Sequence, residues 1–382
     1  MARQGPRARP FWRARWLRPV LLAMVAIGLA PGTFVRTDVG LRTTPARAIT
    51  AAPVDLGPPP PGLLTLTGSW HLTSDHAFFG GLSALVARGP DGLVAGSDRG
   101  FLLDIALDKG APRPRAESFR FIGRRIGLRR EMVDLEALAR DPRDGTLWAA
   151  YELFNRIERF APDGTRSVST PAQIAGWSDN SGPEAMERLS DGRFLMLAEG
   201  YEARGSRDRP ALLFKGDPVA SSAKALEFRF DCNPAFSPVD ITEVPGGRVL
   251  ILLRRVAYRL PPVFDGAIMI ADPATIRAGK PWRGEIIQYL GGPGFGENFE
   301  GIAYVPDRAD PAKGTVWVVS DDNFSVFQRT LLLRFAWQGS GAALQQRAAA
   351  ERAGNSERAP GSVAGSPLDI CQKLGAGGGP AG

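Results

Sequence analysis

Three glutamates stand at the same place in a segment that recurs along the chain. Glu136, Glu184 and Glu300 occupy it in VDLEAL, SGPEAM and ENFEGI, whereas Ser83 and Thr242 occupy it in GGLSAL and VDITEV. Carboxylates that share a small space raise one another's pKa unless a cation or an arginine neutralises them. Hard oxygen ligands favour calcium or magnesium over zinc. The pattern therefore predicts a divalent cation held by Glu136, Glu184 and Glu300.

A second charged position follows each copy of this segment. A Gly/Asp turn and an apolar strand lead in turn to Asp98, Glu152, Glu199, Arg254 and Asp321. We expect Asp98 or Asp321 to orient an attacking water, and Arg254 to neutralise the acids or bind an anionic group. Asp134 and Asp240, two residues upstream on the same strand face, would join the cluster or cap their strands. The alternative is that these acids are solvated turn residues.

The spacing of the copies indicates the fold that positions these residues. The shared position recurs after 53, 48, 58 and 58 residues, which is the length of a four-stranded propeller blade with its loops. Short runs of β-branched, aromatic and leucine residues, separated by Asp-Gly or Gly-Gly, indicate β-hairpins rather than amphipathic helices. The sequence therefore predicts an all-β protein, a β-propeller with six blades of four-stranded antiparallel sheets.

A propeller brings equivalent inner-strand residues to one central channel. The glutamates would converge there, and the strand-end charges would lie near the channel mouth. Because the copies number five, the sixth blade must come from divergent segments. We expect it to use EIIQYL (285–290), with LLTLTGSWHL (63–72) joining the last sheet.

Several other chemistries are excluded by the sequence. The two histidines, His71 and His76, belong to no HExxH motif, and no C-x-x-C occurs, which argues against a zinc site. No G-x-S-x-G nucleophile elbow is present. GGPGFG (291–296) lacks the Lys-Ser/Thr of a phosphate-binding loop and is interpreted as a flexible loop.

The positive charge of the chain is concentrated at its start. Of the net charge of +7, residues 1–50 contribute nine arginines and one aspartate, so the remainder carries −1. This distribution argues against nucleic-acid binding. The arginines precede an apolar run at 20–30, shorter than the roughly 20 residues of a membrane span, which favours a signal peptide. An uncleaved inner-membrane anchor is the alternative, and either one predicts a periplasmic or secreted protein.

The remaining segments complete the predicted organisation. We expect a signal peptide or anchor at 1–48, a stiff proline-rich linker at 49–62, the propeller at 63–338 and a disordered tail at 339–382. Cys232 and Cys371 are an even pair in an oxidising compartment. They form either a disulfide between tail and body or two unrelated thiols.

The motifs together resemble a known family. FGGLSAL with SDRG, DLEAL, GPEAM, DITEV, and NFEGIAY with VWVVSDDNF are similar, in order and spacing, to the phytase-like domain family, described as "esterase-like activity of phytase family protein". The resemblance extends over residues 63–337. It implies a secreted or periplasmic six-bladed propeller with calcium-supported hydrolysis of phosphoesters or esters.

Two functions remain open from the sequence. The first is an exported, metal-dependent hydrolase of a small ester, phosphoester or lactone that uses the carboxylate cluster and metal-activated water. The second is a non-catalytic periplasmic propeller that binds a ligand or a protein and holds a structural calcium. For the hydrolase we expect a small-molecule substrate, no nucleic-acid partner and a monomer.

Overall fold

The computed structural model describes residues 19–20, 48–126, 130–132, 134–177, 182–200, 208–232, 236–257 and 263–339. Residues 45–382 form one compact unit, and the strands below belong to it. In the unit of residues 1–44, residues 19–20 are helical. The apolar run at 20–30, almost all of the predicted tail and Cys371 lie outside the described residues. Within the described ranges, no helix has the length and apolar character needed to cross a membrane.

The fold begins with two strands that belong to its last sheet and continues with the first blade. The initial pair is β1 (Ile49–Pro53) and β2 (Thr65–Ser74). The first blade consists of β3 (Leu82–Ala87), β4 (Gly92–Ser97), β5 (Phe101–Asp108) and β6 (Ala111–Pro114), with β7 (Arg120–Phe121) beside β5. Short 3₁₀ helices lie at Gly89–Asp91 and Ala116–Ser118.

The second and third blades follow after a separate hairpin. The hairpin is β8 (Arg124–Ile126) with β9 (Arg130–Met132). The second blade contains β10 (Leu135–Arg140), β11 (Leu147–Tyr151), β12 (Arg156–Phe160) and β13 (Arg166–Ser169), with a 3₁₀ helix at Glu152–Phe154. The third contains β14 (Pro183–Arg188), β15 (Phe194–Ala198), β16 (Arg209–Phe214) and β17 (Ala225–Phe230).

The last two blades complete the fold. The fourth contains β18 (Ser237–Val244), β19 (Arg248–Ala257) and β20 (Val263–Ala271), then a 3₁₀ helix (Pro273–Thr275), β21 (Pro281–Trp282) parallel to β17 of the third blade, and its own outer strand β22 (Glu285–Leu290). The fifth contains β23 (Asn298–Pro306), β24 (Gly314–Asp321) and β25 (Leu331–Trp337). Strand β2 pairs with β25, and β1 pairs with β2.

The five innermost strands form a closed ring. Strands β3, β10, β14, β18 and β23 each contact the next one around the ring, and β23 contacts β3. A separate apolar core fills each junction between neighbouring blades. The all-β propeller with antiparallel blades is thus confirmed, and the residues predicted to face the channel lie on innermost strands.

The predicted number of blades was wrong. The described residues form five blades rather than six. The segment assigned to a sixth blade, 285–290, is the outer strand of the fourth, where it pairs with β20. The N-terminal strand does join the last sheet, as expected. The extra length between the last copies of the repeat therefore forms outer strands and loops rather than a further blade.

Residues 49–62, predicted as a stiff proline-rich linker, include a strand and core contacts. Residues 49–53 form β1, which runs antiparallel to β2. Leu56 is buried in the core between the fourth and fifth blades, and Gly62 forms a bridge to Gln288. The proline-rich segment packs against the propeller, because its apolar side chains and backbone groups contact neighbouring strands.

Candidate metal centre

The innermost strand of every blade carries a β-bulge near its start. One residue of this strand has no partner on the neighbouring strand, and the pairing resumes after it. A bulge redirects a side chain, and bulges are frequent beside active sites. The residues at the bulges are Ser83, Glu136, Glu184, Val239 and Glu300.

The fourth blade departs from the sequence alignment. Thr242 was aligned with the glutamates, but Val239 occupies the bulge. The Thr242 hydroxyl lies further along the strand and accepts a hydrogen bond from the Tyr304 backbone nitrogen at 3.1 Å. The alignment failed because VDITEV and VDLEAL are similar in sequence, so they were aligned residue by residue. The position of a β-bulge cannot be recognised from a pattern of apolar residues.

The charged strand ends surround the bulges. In each blade a charged residue in or just after the second strand lies opposite the residue two positions before the bulge. All five blades therefore place one charged group at an equivalent position. The backbone pairs are Asp98 with Gly81, Glu152 with Asp134, Glu199 with Gly182, Arg254 with Ser237, and Asp321 with Asn298.

Two groups of carboxylates within this ring can hold a metal ion. Asp134, Glu136 and Glu152 form one triad, and Glu152, Glu184 and Glu199 form the other. In each triad, one oxygen from every residue lies within 4.8 Å of the others. Calcium binds oxygens at about 2.3–2.6 Å, so ligands on opposite sides of one ion lie about 5 Å apart. Both triads fit this span, and Glu152 belongs to both.

Local backbone structure fixes the shared carboxylate. Glu152 begins a 3₁₀ helix directly after β11, and its Oε1 accepts a hydrogen bond from the Gly182 nitrogen at 3.2 Å. Asp134, opposite Glu152, has a left-handed φ of 74°, a conformation that aspartate tolerates better than most residues. The strained residue turns the chain into β10 immediately before the bulge at Glu136.

Arg254 is the counter-charge of the ring. Its Nη2 donates to Glu199 Oε1 at 2.7 Å, and its Nη1 donates to Asn298 Oδ1 at 3.1 Å and also to Glu300. Burial disfavours the charged guanidinium, but the carboxylates of Glu300 and Glu199 outweigh burial and raise the pKa of Arg254. Because both Nη atoms are engaged, Arg254 neutralises two acids rather than offering a free anion-binding group.

The other acids hold protons more tightly than acids in water do. Burial, followed by neighbouring carboxylates, raises the pKa of Glu136 and Glu184 well above the usual range. Burial also raises the pKa of Asp98 and Glu152 to about 7 each. Acids that repel one another in this way release their protons most readily to a competing cation. The electrostatics therefore fit a cation site.

Asp98 and Asp321 belong to neither triad, although the Asp98 carbonyl accepts a hydrogen bond from the backbone nitrogen of Asp134 in the first triad. Burial and then the Glu300 charge raise the pKa of Asp321 well above normal, and its Oδ1 accepts a hydrogen bond from the Asn323 nitrogen at 2.6 Å. A side chain at Gly81, where φ is 61°, would overlap Asp98. The absence of a side chain at position 81 lets the Asp98 carboxylate pack against the backbone.

The sequence over the same strands matches one family. A model of the family described as "Phytase-like: Esterase-like activity of phytase" matches residues 77–324, which include the innermost strand of every blade and all of the carboxylates above. The chain belongs to the phytase-like family. A search of the curated proteins gave no match.

Similar solved structures of other proteins are remote from this phytase-like chain. Virginiamycin B lyase from Staphylococcus aureus is 12% identical, with a TM-score of 0.37, over 76% of this chain and 100% of the lyase. A nidogen/laminin complex is 12% identical, with a TM-score of 0.37, over 72% of this chain and 98% of the other. A streptogramin B lyase is 10% identical, with a TM-score of 0.34, over 75% and 98%. Likeness at this level carries no information on function.

The phytase-like site brings together part of the predicted ligand set. Glu136 and Glu184 lie in different triads that Glu152 connects, whereas Glu300 contacts Arg254 and Asn298. Glu152 and Glu199 had been noted as strand-end charges but not as ligands. Which carboxylates meet depends on the side-chain geometry around each bulge, and repeat spacing does not contain that information.

Asp240 has a structural place in the phytase-like propeller. It follows the bulge in β18 and does not join the acid ring. Its Oδ2 accepts hydrogen bonds from Ile302 and Leu85 at 2.7 and 3.3 Å, and its Oδ1 from Ile241 at 2.8 Å. Asp240 thus connects three innermost strands, β18, β23 and β3.

The histidines and the described cysteine lie apart from this chemistry. His76 packs edge-on against Phe101 and Phe119, and its Nδ1 accepts a hydrogen bond from Phe78. Cys232 is buried, and its Sγ donates to the Phe236 carbonyl at 3.3 Å. Among the described residues, the groups able to hold a metal consist entirely of carboxylates.

Proposed function

We propose that the protein is a divalent-cation-dependent hydrolase of a small ester, phosphoester or lactone, with calcium as the cation. The observation that carries this proposal is the pair of carboxylate triads joined by Glu152. The family description supports esterase-like chemistry. All-oxygen donor sets select calcium or magnesium over softer metals.

The division of roles follows from the geometry. A bound divalent cation polarises an ester or phosphoryl oxygen and acidifies water. Asp134, Glu136, Glu152, Glu184 and Glu199 would hold it. Asp98, with a pKa of about 7, suits a general base near neutral pH. Its carboxylate would accept a proton from an attacking water, and Asp321 would help to orient that water.

A second function is favoured by the degree of enclosure. Glu184 of the second triad is 6% exposed, and both Nη atoms of Arg254 are already bonded to protein oxygens. A cation surrounded in this way by protein groups would stabilise the propeller without an open position for substrate. The protein would then be a non-catalytic binding propeller with a structural calcium.

The two functions are separated by one experiment on the full chain. Metal content is measured after purification, calcium and magnesium binding by calorimetry, and hydrolysis with a panel of ester, phosphoester and lactone substrates with and without chelator. Hydrolysis that chelator abolishes and calcium restores would support the hydrolase. Cation binding without any hydrolysis would favour the binding propeller. Failure to bind any divalent cation would refute both.

Export is part of the same proposal. The basic and apolar start of the sequence supports a periplasmic or secreted protein, either cleaved or anchored at the inner membrane. Cell fractionation with N-terminal sequencing of the mature protein tests this, because a cytoplasmic, unprocessed protein would contradict it. We also expect the protein to be a monomer, which light scattering of the purified protein checks.

A further inference from the structure

Asn155 has an unusual environment beside the second triad. It is 3% exposed and has a left-handed φ of 46°. Its Nδ2 donates to the Trp177 carbonyl at 2.8 Å. Its Oδ1 is buried and has no hydrogen-bond partner among the described residues. A buried amide oxygen without a partner is rare in native proteins and calls for an explanation such as an ion or an ordered water.

The position of this oxygen connects it to the carboxylates. An ideal Cβ placed on Gly182 would lie 2.6 Å from Asn155 Oδ1 and 3.2 Å from Glu152 Cγ. The Gly182 nitrogen donates to Glu152 Oε1, and its carbonyl accepts from the Glu199 nitrogen at 3.3 Å. Gly182 is therefore in contact with the amide oxygen and with two members of the triad. Because Gly182 has no side chain, the Asn155 amide can approach the acids closely.

We propose that Asn155 Oδ1 is a ligand of the cation held by Glu152, Glu184 and Glu199. This inference rests on the proposed cation site and adds a neutral oxygen to it. Side-chain amide oxygens are common calcium ligands, and calcium takes six to eight oxygens in flexible geometry. Magnesium is smaller and retains several waters. The added ligand therefore favours calcium over magnesium at this triad.

If Asn155 had a purely structural role, removal of its side-chain oxygen would not affect cation binding. Asparagine adopts the left-handed conformation readily, and its Nδ2 anchors the loop at Trp177. If those were its only roles, the oxygen would be dispensable. Both Asn155→Gly and Asn155→Asp retain access to the left-handed backbone and lose the Nδ2 donor. They differ in that Asn155→Asp keeps an oxygen near the triad.

The test compares these two variants by calorimetric titration of the full chain with calcium and with magnesium. We expect Asn155→Gly to weaken calcium binding about tenfold or more and to reduce the preference for calcium over magnesium. We expect Asn155→Asp to bind calcium at least as tightly as the wild type. Asn323→Gly is the matched control, because Asn323 also has a left-handed φ, of 48°, and is absent from both triads. It should bind as the wild type does.

The outcomes separate the inference from the proposed function. Equal loss of affinity in Asn155→Gly and Asn155→Asp would assign the effect to the Trp177 anchor and overturn the inference. Unchanged calcium binding in Asn155→Gly would also overturn it. A wild type that binds no divalent cation would instead remove the site itself. Circular dichroism of each apo variant verifies folding, and Asn155→Asp supplies the answer if Asn155→Gly does not fold.

Discussion

The guanidinium Nη2 of Arg254 lies 2.7 Å from Oε1 of Glu199, and this contact joins the fourth blade to the third across the acid ring. Arg254 occupies the strand-end position at which the other four blades carry an acid. Its charge is shared with Glu300 of the fifth blade. One arginine thus neutralises acids on both sides of its own blade, while the other members of the two triads depend on protons or a cation.

Replacing Arg254 by methionine should destabilise the metal-free protein strongly. The change leaves two largely buried carboxylates without a counter-charge, which costs roughly 3–5 kcal/mol in other buried pairs. Arg255→Met is the matched control. Its partner Asp265 lies at 2.6 Å, but both side chains are over a quarter exposed, so we expect about 0–1 kcal/mol. Urea unfolding in the presence of chelator measures the stability of both variants. Equal losses of stability would show that Arg254 is not a structural counter-charge.

Replacing Glu184 by glutamine separates a cation site from a simple acidic cluster. The change keeps the shape and removes one ligand charge, so calcium affinity should fall about tenfold or more. In the absence of metal the same change relieves repulsion and should stabilise the fold. We expect the same for Glu136 and Glu152, the other glutamates of the triads that have no arginine partner. Asp191→Asn, in an exposed turn, should change neither quantity, and calorimetry that finds wild-type affinity in all the glutamine variants would disprove the site.

Gly81→Ala tests the close packing around Asp98. The left-handed φ of 61° alone costs about 1–2 kcal/mol for alanine, and the added methyl would overlap the Asp98 carboxylate and Phe324. Gly89→Ala is the matched control, since it has a φ of 72° and nothing within 4 Å. We expect Gly81→Ala to destabilise by at least about 1 kcal/mol more than Gly89→Ala and also to reduce hydrolysis. Equal stabilities from thermal unfolding would contradict the packing at Asp98.

Glu187 predicts a pH dependence of stability. Burial raises its pKa from 4.5 to about 8 in the folded protein. Between these values the folded state binds more protons than the unfolded state, so the free energy of unfolding falls as pH rises and levels off above about 8. Glu187→Gln lacks this titration. As pH rises from 4.5 to 8, its free energy of unfolding should therefore increase by a few kcal/mol relative to that of the wild type. Urea unfolding across this range checks it, with the exposed Glu117→Gln as control; parallel curves for Glu187→Gln and the wild type would refute it.

The sequence predicted the parts of the fold that repeat. Glycine-containing turns between apolar runs, Asp-Gly in the first three blades, located the inner hairpins of all five blades, because turn chemistry and strand burial are local properties. The outer strands were harder to place. Strand β21 pairs in parallel with β17 of the preceding blade, and β22 had been assigned to a separate blade. Outer strands lack a shared motif because each packs against solvent and irregular loops.

The candidate site was predicted at the level of the ring but not of the individual contacts. The repeat identified two positions per blade at which acids recur, and the structure places them on or beside one ring of innermost strands. The sequence repeat did not distinguish Glu300, which pairs with Arg254, from Glu152, which belongs to both triads. That distinction depends on side-chain directions, which the bulges set. In the fourth blade, the sequence alignment put Thr242 at the bulge position that Val239 occupies.

The pairing of β2 with β25 also constrains how the protein is made. About 260 residues separate His71 from its partner Leu331, so β2 leaves the ribosome or translocon long before the strand that covers it. Such non-local pairing slows folding. Until β25 is synthesised, the edge of β2 with Trp70 and Leu72 stays available to other chains. The last sheet of the propeller therefore cannot close until nearly the whole chain has been synthesised.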